Sequence, residues 1–304
     1  MTTIVSILHV ILALAMSPLL IGVINRVKAG FAGRQGQPLF QPYFDLAKLL
    51  RKGAVYSRTT TWIFRAAPVV GLAGAMVAVV LVPLGGLPGL LAFPGDLVVL
   101  AYVLGTTRFM TVLAALDTGS AFEGMGASRE VQFSLLAEPV LLLSLAALGV
   151  CTRSLALSDI YAGLFAGGAG GVAATAAMVA AALLLVLLAE NARIPVDDPN
   201  THLELTMIHE VMVLDHGGVD LACIQYGAGV KLWVFSALLV GAAAPCRTGV
   251  AFADLALGVG GVFAVAVVVG VVESCMARLR LVRVPQMLVV GGVLAIAALL
   301  WALR

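Results

Sequence analysis

Eight long apolar segments determine what this chain can fold into. Each is close to the length of about 20 mainly apolar residues that a helix needs to cross the hydrocarbon core of a bilayer. The sequence therefore predicts an all-α integral membrane protein of about eight transmembrane helices, a single polytopic membrane domain over residues 1–304. The segments are 3–24, 66–85, 96–117, 131–151, 170–190, 228–246, 252–274 and 284–303.

The composition supports lipid as the solvent of this chain. Apolar residues make up 62% of it and charged residues only 11%, whereas soluble domains are about half apolar and about a quarter charged. Clustered thiolates hold iron–sulfur clusters and most structural zinc, and the four cysteines form no CxxC pair. We therefore expect no metal or cofactor in this chain. The net charge of +2 gives no indication of a nucleic-acid partner.

Basic residues predict the orientation in the membrane. Of the 18 Lys and Arg residues, 13 fall in alternate connections between the segments. By the positive-inside rule these connections are cytoplasmic and both termini lie outside. The first segment has no basic residue before it, so we expect an uncleaved first helix rather than a signal peptide. The cytoplasmic connections are 25–65, 118–130, 191–227 and 275–283, and we call the side that carries them the charged face.

Acidic residues crowd the same side, which the positive-inside rule does not require. Of the 16 Asp and Glu residues, 13 lie on the charged face or at the helix ends nearest to it. Similar numbers of both signs do not make a polybasic lipid anchor. The charged face is instead interpreted as a docking surface for a soluble partner, with ordinary solvated loops as the alternative.

The first long cytoplasmic connection, 25–65, contains the string GRQGQPLFQPYFDLAKLLRKG at 33–53. After its second proline, apolar residues recur at helical spacing, with Asp45 and Lys48 on a neighbouring face. This pattern predicts an amphipathic helix lying at the membrane interface, an interpretation that is compatible with docking. The apolar residues are Phe44, Ala47, Leu50 and Ala54.

The second long connection, 191–227, contains a second predicted helix. Asp197 or Asp198, and then Asn200, provide residues that favour a helix start. The helix is expected from about Thr201 to Leu214, ending at the glycine pair 217–218. Its charged and titratable residues are His202, Glu204, His209, Glu210, Asp215 and His216.

A metal site on this second helix is rejected. His202, His209 and His216 are spaced by seven, so on a helix they stack on one face but lie about 10 Å apart, too far to share one ion. His209-Glu210 begins an HExxH-like string, but its last position is Val213, so the zinc-protease motif fails.

Acids near the ends of the apolar segments are the other candidate functional residues. Asp117 and Glu190 end the third and fifth segments, Glu273 is near the end of the seventh, and Glu138 is set one to two turns into the fourth. A carboxylate within the hydrocarbon region normally faces a polar interior and marks an ion or proton route. A plain position at the headgroups stays open for Asp117 and Glu190. Arg108, in mid-segment, needs an internal partner, either as a structural ion pair or for charge transfer.

Three strings resemble known membrane subunits. RIPVDDPNTHLELTMIHEVMVLDH at 193–216 and LDTGSAFEGMGASREVQFSLLAEP at 116–139 resemble the membrane-anchor subunit of group 4 membrane-bound NiFe hydrogenases, which include the formate hydrogenlyase and hydrogenase-4 types. FQPYFDLAKLL at 40–50 resembles the NADH dehydrogenase subunit 1 family of respiratory complex I, the wider family of that subunit. The resemblance covers nearly the whole chain.

The resemblance implies a noncatalytic subunit with eight helices in a prokaryotic inner membrane. Its expected partners are the NiFe hydrogenase large and small subunits, which would hold the NiFe centre and iron–sulfur clusters, and an antiporter-like membrane subunit. It implies an ion path, for H⁺ or Na⁺, through Asp117, Glu123, Glu138, Glu190, Glu204 and Glu210 with Arg108 and Arg193. It implies docking of the soluble arm by Asp45, Lys48, Asp197, Asp198, His202, His209 and Asp215.

Two other functions are weighed against this one. A quinone-chamber subunit of a complex I-like enzyme is less favoured, because Arg193-Ile-Pro-Val-Asp197 is followed here by Asp198-Pro-Asn-Thr-His-Leu-Glu rather than by the glutamate-rich continuation of complex I. A free-standing secondary transporter would show repeated halves around a midplane site. The sequence shows no internal repeat, and its acids are expected near one face instead.

Overall fold

The computed structural model describes residues 2–166, 171–197, 207–245 and 247–304. These residues form α-helices and one short 3-10 turn, Leu281–Arg283, with no β-strand in the described ranges. The helices are α1 Thr2–Phe31, α2 Gln41–Leu50, α3 Trp62–Leu81, α4 Asp96–Asp117, α5 Ala121–Thr152, α6 Leu157–Ala166, α7 Gly171–Glu190, α8 His209–Met212, α9 Gly218–Ala243, α10 Ala251–Cys275 and α11 Val284–Ala302.

Eight helices of the described part are long and apolar enough to cross a membrane: α1, α3, α4, α5, α7, α9, α10 and α11. The prediction of an all-α membrane protein with eight spans is therefore confirmed. The third span has the predicted bounds, 96–117. The prolines between the second and third spans do not interrupt either helix, because they fall in the connection after Leu81, where Leu84 and Leu87 close a tight turn.

Two spans begin about ten residues earlier than hydropathy predicts. α5 begins at Ala121 rather than 131, and α9 begins at Gly218 rather than 228. The added turns contain acids that lower the hydropathy, among them Glu123 and Asp220, and both are buried by neighbouring helices. A polar side chain that is enclosed by protein does not end a helix, although it ends an apolar run in the sequence.

α9 is the central helix of the fold. It packs against α1, α2, α3, α7 and α10. Its middle turns hold the fully buried Trp233 and Phe235, and Trp233 meets Phe263 of α10 edge to face. A polar residue on this helix is therefore brought to the interior of the bundle.

The amphipathic helix of the first connection is α2, which packs on α1 and α9. Its contact side includes Tyr43, whose hydroxyl donates to the carbonyl of Ala15 at 2.6 Å. The apolar residues that the spacing picked out turn away from the chain, with Phe44 63% exposed and Leu50 59% exposed. This stripe is available to lipid or to another protein.

The helix predicted over Thr201–Leu214 is wrong for the described residues. Residues 198–206 lie outside the described ranges, Met207 and Ile208 are not helical, and α8 covers only His209–Met212. The predicted stop at Gly217–Gly218 is also wrong, since Gly218 begins α9. Gly218 has φ +57°, and a Cβ there would lie 2.6 Å from the carbonyl oxygen of Gly53, so a side chain would push the two long connections apart.

Candidate functional site

A buried arginine in α4 holds carboxylates from two other helices. The Nη2 of Arg108 donates to both carboxylate oxygens of Glu190, each at 2.6 Å, and its Nη1 pairs with Glu138. Its Nε lies 3.5 Å from Glu130, an ion pair rather than a hydrogen bond. The side chains of Arg108 and Glu190 are 7% and 3% exposed. The planar guanidinium, with its five N–H donors, suits such a cluster better than an ammonium would.

Lys231 of α9 completes the cluster. Its Nζ lies 2.9 Å from the Glu190 carboxylate and donates at 2.6 Å to the backbone carbonyl of the same residue. Glu190 is the last residue of α7, where backbone carbonyls lack helical partners. Lys231 therefore both neutralises the acid and caps the helix that carries it. We call Arg108, Glu130, Glu138, Glu190 and Lys231 the Arg108 centre.

Three members of the Arg108 centre lie near the middle of long helices, whereas Glu190 lies at the end of α7. Arg108 is residue 13 of the 22 in α4, Glu138 is residue 18 of the 32 in α5, and Lys231 is residue 14 of the 26 in α9. The expectation that Glu138 lies one to two turns into the membrane span stays a prediction, because the ten added residues of α5 extend the helix before the apolar segment.

The charges of the Arg108 centre do not balance. Three carboxylates meet two cations, which leaves one negative charge when all five groups are ionised. Buried ions are costly unless they are paired, and removing one partner leaves the other uncompensated. The excess negative charge is nearest to the surface at Glu138, because the Glu138 side chain is 46% exposed whereas that of Glu190 is buried.

A second buried ion cluster lies beside the first. Glu273 of α10, with a fully buried side chain, is 2.8 Å from the Nζ of Lys28 and 3.5 Å from the Nη1 of Arg193. Lys28 belongs to α1, and Arg193 follows α7. We call Glu273, Lys28 and Arg193 the Glu273 centre, which carries one excess positive charge.

One turn of the chain joins the two centres. Glu190 of the first and Arg193 of the second are at the two ends of the turn that terminates α7. The turn is closed by a hydrogen bond of 2.9 Å from the Arg193 N–H to the carbonyl of Leu188. Ala192 within it has φ +47°, a left-handed conformation in which glycine is usually found. The two centres are therefore connected through three residues of the chain and one backbone hydrogen bond.

Asp197 organises the start of α8. One carboxylate oxygen accepts from the backbone N–H groups of Ile208 and His209 at 2.9 and 3.3 Å, and the other lies 2.8 Å from Arg278. The helix start expected directly after Asp197, at about Thr201, lies outside the described residues, and Asp197 accepts from N–H groups at the start of α8, which begins at His209, twelve residues later. Gly126 of α5 lies under the carbonyl of Ile208, which lets α8 pack closely.

Two of the predicted path acids lie outside the Arg108 centre. Glu123, 1% exposed, accepts from the Asp215 backbone N–H at 3.1 Å, and its second oxygen has no hydrogen-bond partner among the described residues. Asp117 accepts from the backbone N–H and the hydroxyl of Thr61 at 2.6 and 3.0 Å, at the start of α3. It is nine residues after Arg108, which places it on the opposite side of α4.

The other predicted residues are placed as follows. His209 and Glu210 are half-buried in α8. Asp45 and Lys48 are exposed on α2, where Asp45 accepts from Gln41 at 2.9 Å. Asp198, His202 and Glu204 lie outside the described residues.

A cavity of about 110 Å³ lies between the Arg108 centre and the start of α9. The imidazole of His216 stacks on the ring of Phe64 with 3.8 Å between centroids, and its buried Nδ1 has no hydrogen-bond partner in the described structure. Burial lowers the pKa of His216, against the opposing effect of Asp220 and Asp215. No group of three His, Cys, Asp or Glu residues within the described ranges is placed to hold a metal. The polar residues that line the cavity include Arg108, Glu130, Glu190, His209, His216 and Lys231.

Two members of the Arg108 centre were not among the residues that the sequence singled out. Glu130 is seven residues after Glu123, so both lie on one face of α5, but the predicted span began at 131 and left it in a loop. Lys231 was placed near the start of a span, whereas it is in the middle of α9. A charged residue in the middle of a spanning helix is the signal that would have identified it.

Comparisons with known proteins agree with this architecture. The sequence profile of the NADH dehydrogenase family matches residues 3–303. Hydrogenase-4 component C of Escherichia coli (strain K12) is 29% identical over 297 residues, which cover 96% of this chain and 92% of that protein. Formate hydrogenlyase subunit 4 of the same organism is 28% identical over 292 residues, covering 94% of each.

Two further matches are more distant. An NADH-quinone oxidoreductase subunit of Anaplasma phagocytophilum (strain HZ) is 26% identical over 217 residues, covering 66% of this chain and 62% of that protein. In the structure of the membrane-bound sulfane sulfur reductase, an archaeal respiratory membrane complex, one chain has the same fold with a TM-score of 0.82. It is 21% identical, and the match covers 98% of this chain and 99% of that one.

Proposed function

The chain belongs to the NADH dehydrogenase family, and on that premise we propose that it is the membrane subunit of a hydrogenase complex. In this role it docks a soluble NiFe and iron–sulfur arm and links the redox chemistry of that arm to movement of H⁺ or Na⁺ through its buried carboxylates. It performs no redox step itself. The electrons pass through partner subunits, and this chain receives their electrostatic or conformational consequence.

The choice of a hydrogenase complex rests on the relatives. The two hydrogenase-type relatives are matched over more than nine-tenths of this chain, whereas the quinone oxidoreductase subunit is matched over 66% of it.

The Arg108 centre is the observation that carries the proposal of ion movement. Charged groups in the middle of spanning helices are expensive and normally mark an ion or proton route. In the Arg108 centre these groups are paired closely. A proton or cation that arrives at one carboxylate therefore changes the electrostatic energy of the other charged groups. The turn from Glu190 to Arg193 extends this coupling to the Glu273 centre, which lies nearer to the charged face at the end of α10.

The charged face is the proposed docking surface. It contains α2, α8 and the connection between α7 and α9, together with Asp45, Lys48, Asp197, His209 and Asp215. Mixed charge on such a surface determines the orientation and register in which a partner binds, more than it increases the affinity of binding. We place this face in the cytoplasm of a prokaryotic cell, with both termini on the other side of the inner membrane.

Purification of the native complex through a tag on this chain tests the proposal. We expect nickel and iron to copurify with the chain, and hydrogen evolution or oxidation to be measurable in the purified complex. A complex that contains bound quinone but no nickel would contradict the hydrogenase assignment.

Docking is tested separately with Glu210→Gln and, as a matched control, Asp159→Asn at an exposed acid on the opposite face. If the α8 region docks the arm, Glu210→Gln reduces the nickel retained after purification and Asp159→Asn does not. Equal nickel retention in both variants would show that Glu210 does not contribute to docking.

A further inference from the structure

An open cleft lies between α4 and α5 on the outside of the bundle. Its volume is about 510 Å³. On α4 it is bordered by Tyr102, Thr106 and Phe109, which are spaced as i, i+4 and i+7 and therefore form one exposed ridge. On α5 it is bordered by Leu142 and by Glu138 of the Arg108 centre. The cleft thus joins an apolar outer surface to a buried ion cluster.

Glu138 is the feature of the cleft that lipid cannot satisfy. Its side chain is 46% exposed although it is near the middle of α5. It lies 14 residues before Thr152 at the end of α5, about 21 Å at 1.5 Å per residue, so a lipid headgroup at that end of the helix cannot reach it. Gly105 of α4 opens the space beside it, since a Cβ on that glycine would be 3.5 Å from the Glu138 carboxylate.

The charge of the Arg108 centre indicates what is missing. The centre has one negative charge in excess, and Glu138, its exposed member, has Arg108 as its one ion-pair partner within the described structure. An ionised carboxylate facing hydrocarbon is costly and is normally paired with a group of opposite charge. The surrounding surface is mainly apolar, as in a packed helix interface, rather than polar, as in a water-filled channel.

We infer that a transmembrane helix of another subunit lies in the α4–α5 cleft and places a Lys, Arg or His side chain against Glu138. The ridge of Tyr102, Thr106 and Phe109 gives that helix a surface to pack on, and Gly105 admits its basic side chain to the carboxylate. The inference rests on the proposed function only in requiring that the chain is part of a membrane complex. It holds whether or not ions move through the Arg108 centre.

Site-specific photo-crosslinking in the intact complex tests this inference. A photoreactive benzoylphenylalanine replaces Tyr102 or Leu142, one on each side of the cleft, and Val293 on α11, which is 61% exposed outside the cleft, serves as the control. We expect positions 102 and 142 to crosslink to the same transmembrane segment of one subunit, with a basic residue near its middle. The Val293 position should give no crosslink to that segment.

Three results would overturn the inference. These are crosslinks to lipid alone, crosslinks to two unrelated segments, and a single segment that has no basic residue at the depth of Glu138. Each of them leaves the assignment to a hydrogenase complex untouched, because that assignment is tested by the metals that copurify.

A double-mutant cycle then tests the charge pair itself. Glu138→Gln and the neutralised partner base are each expected to reduce the fraction of the partner subunit retained in detergent. The two changes together should reduce it no further than the worse single change, because both remove the same interaction. Losses that multiply would show that the two residues do not interact.

Discussion

Arg108 pairs with three carboxylates, and the shape of its side chain explains how it does so. One guanidinium reaches Glu130, Glu138 and Glu190 in different directions. Lysine carries a single compact ammonium and cannot make these contacts together. At residue scale, the arrangement depends on the geometry of the cation as well as on its charge.

Replacing Arg108 tests that dependence. Arg108→Gln is expected to destabilise the folded chain by about 3–5 kcal/mol, because it leaves buried carboxylates without their main partner. The Tm of Arg108→Lys should lie between that of the glutamine variant and that of the parent. The measurement is thermal unfolding of the purified protein, with the exposed Arg247→Gln as control. Equal Tm values for Arg108→Gln and Arg247→Gln would contradict the structural importance of the centre.

His216 gives a prediction about pH. Its pKa is lowered by burial, so as the pH falls the unfolded chain binds a proton before the folded chain does. Stability is therefore expected to fall as the pH drops below the ordinary value for histidine, about 6.5. His216→Phe keeps an aromatic ring against Phe64 but cannot titrate, so its Tm should decline less between pH 7 and pH 5. Parallel pH profiles for the variant and the parent would contradict this.

The sequence identified part of the Arg108 centre. It indicated that Arg108 needs an internal partner, which is confirmed by its ion pairs, and it singled out Glu138 and Glu190. It could not group them, because the contacts join residues that are 30 and 82 positions apart in the chain. Such proximity follows from helix packing, which hydropathy does not encode.

At the scale of elements, the end of α7 is the junction between the two ion clusters. Its turn includes Ala192 in a left-handed conformation, which destabilises a residue with a Cβ by roughly 1–2 kcal/mol. Glycine is not strained in this conformation, but it loses more conformational entropy on folding. The turn is kept by its hydrogen bonds and by the charged residues on either side of it.

Substitutions at Ala192 test whether this conformation matters. Ala192→Gly should leave the Tm nearly unchanged, since the relieved strain and the added entropy loss offset each other. Ala192→Val should lower the Tm and weaken the activity of the complex, because a β-branched residue is disfavoured at positive φ. If the valine variant matched the glycine variant in both measurements, the turn would not have the proposed linking role.

The sequence predicted helices well where a long apolar segment defines the helix. It predicted helix bounds poorly where contacts with other parts of the fold define them. The eight spans follow from hydropathy, because a membrane helix must be apolar along its length. The starts of α5 and α9 were missed because Glu123 and Asp220 are buried by protein rather than exposed. The bounds of α8 were missed because its first N–H groups are held by Asp197, eleven residues away from Ile208.

At the scale of the molecule, the two ion clusters form a band of charge across the bundle. It begins at Glu138, which opens to the α4–α5 cleft, and passes through Arg108 and Glu190. It continues through Arg193 to Glu273 and Lys28 on the other side of α9. A partner helix at one end and a soluble arm on the charged face would both contact this band.

The central claim is that this band carries the coupling between redox chemistry and ion movement. Glu138→Gln tests it most directly, because the change removes one charge and keeps the shape of the side chain. Asp159→Asn on the opposite face is the matched control. Both variants are compared with the parent in inverted membrane vesicles whose content of complex subunits has been matched.

In these vesicles, hydrogenase turnover and the accompanying movement of H⁺ or Na⁺ are measured together, with a pH-sensitive dye and radioactive sodium. We predict that Glu138→Gln removes most of the ion movement that accompanies hydrogen turnover, because it removes a charge from the ion route, while Asp159→Asn matches the parent. Normal turnover and normal ion movement in the Glu138→Gln complex would contradict the claim and leave Glu138 as a structural residue.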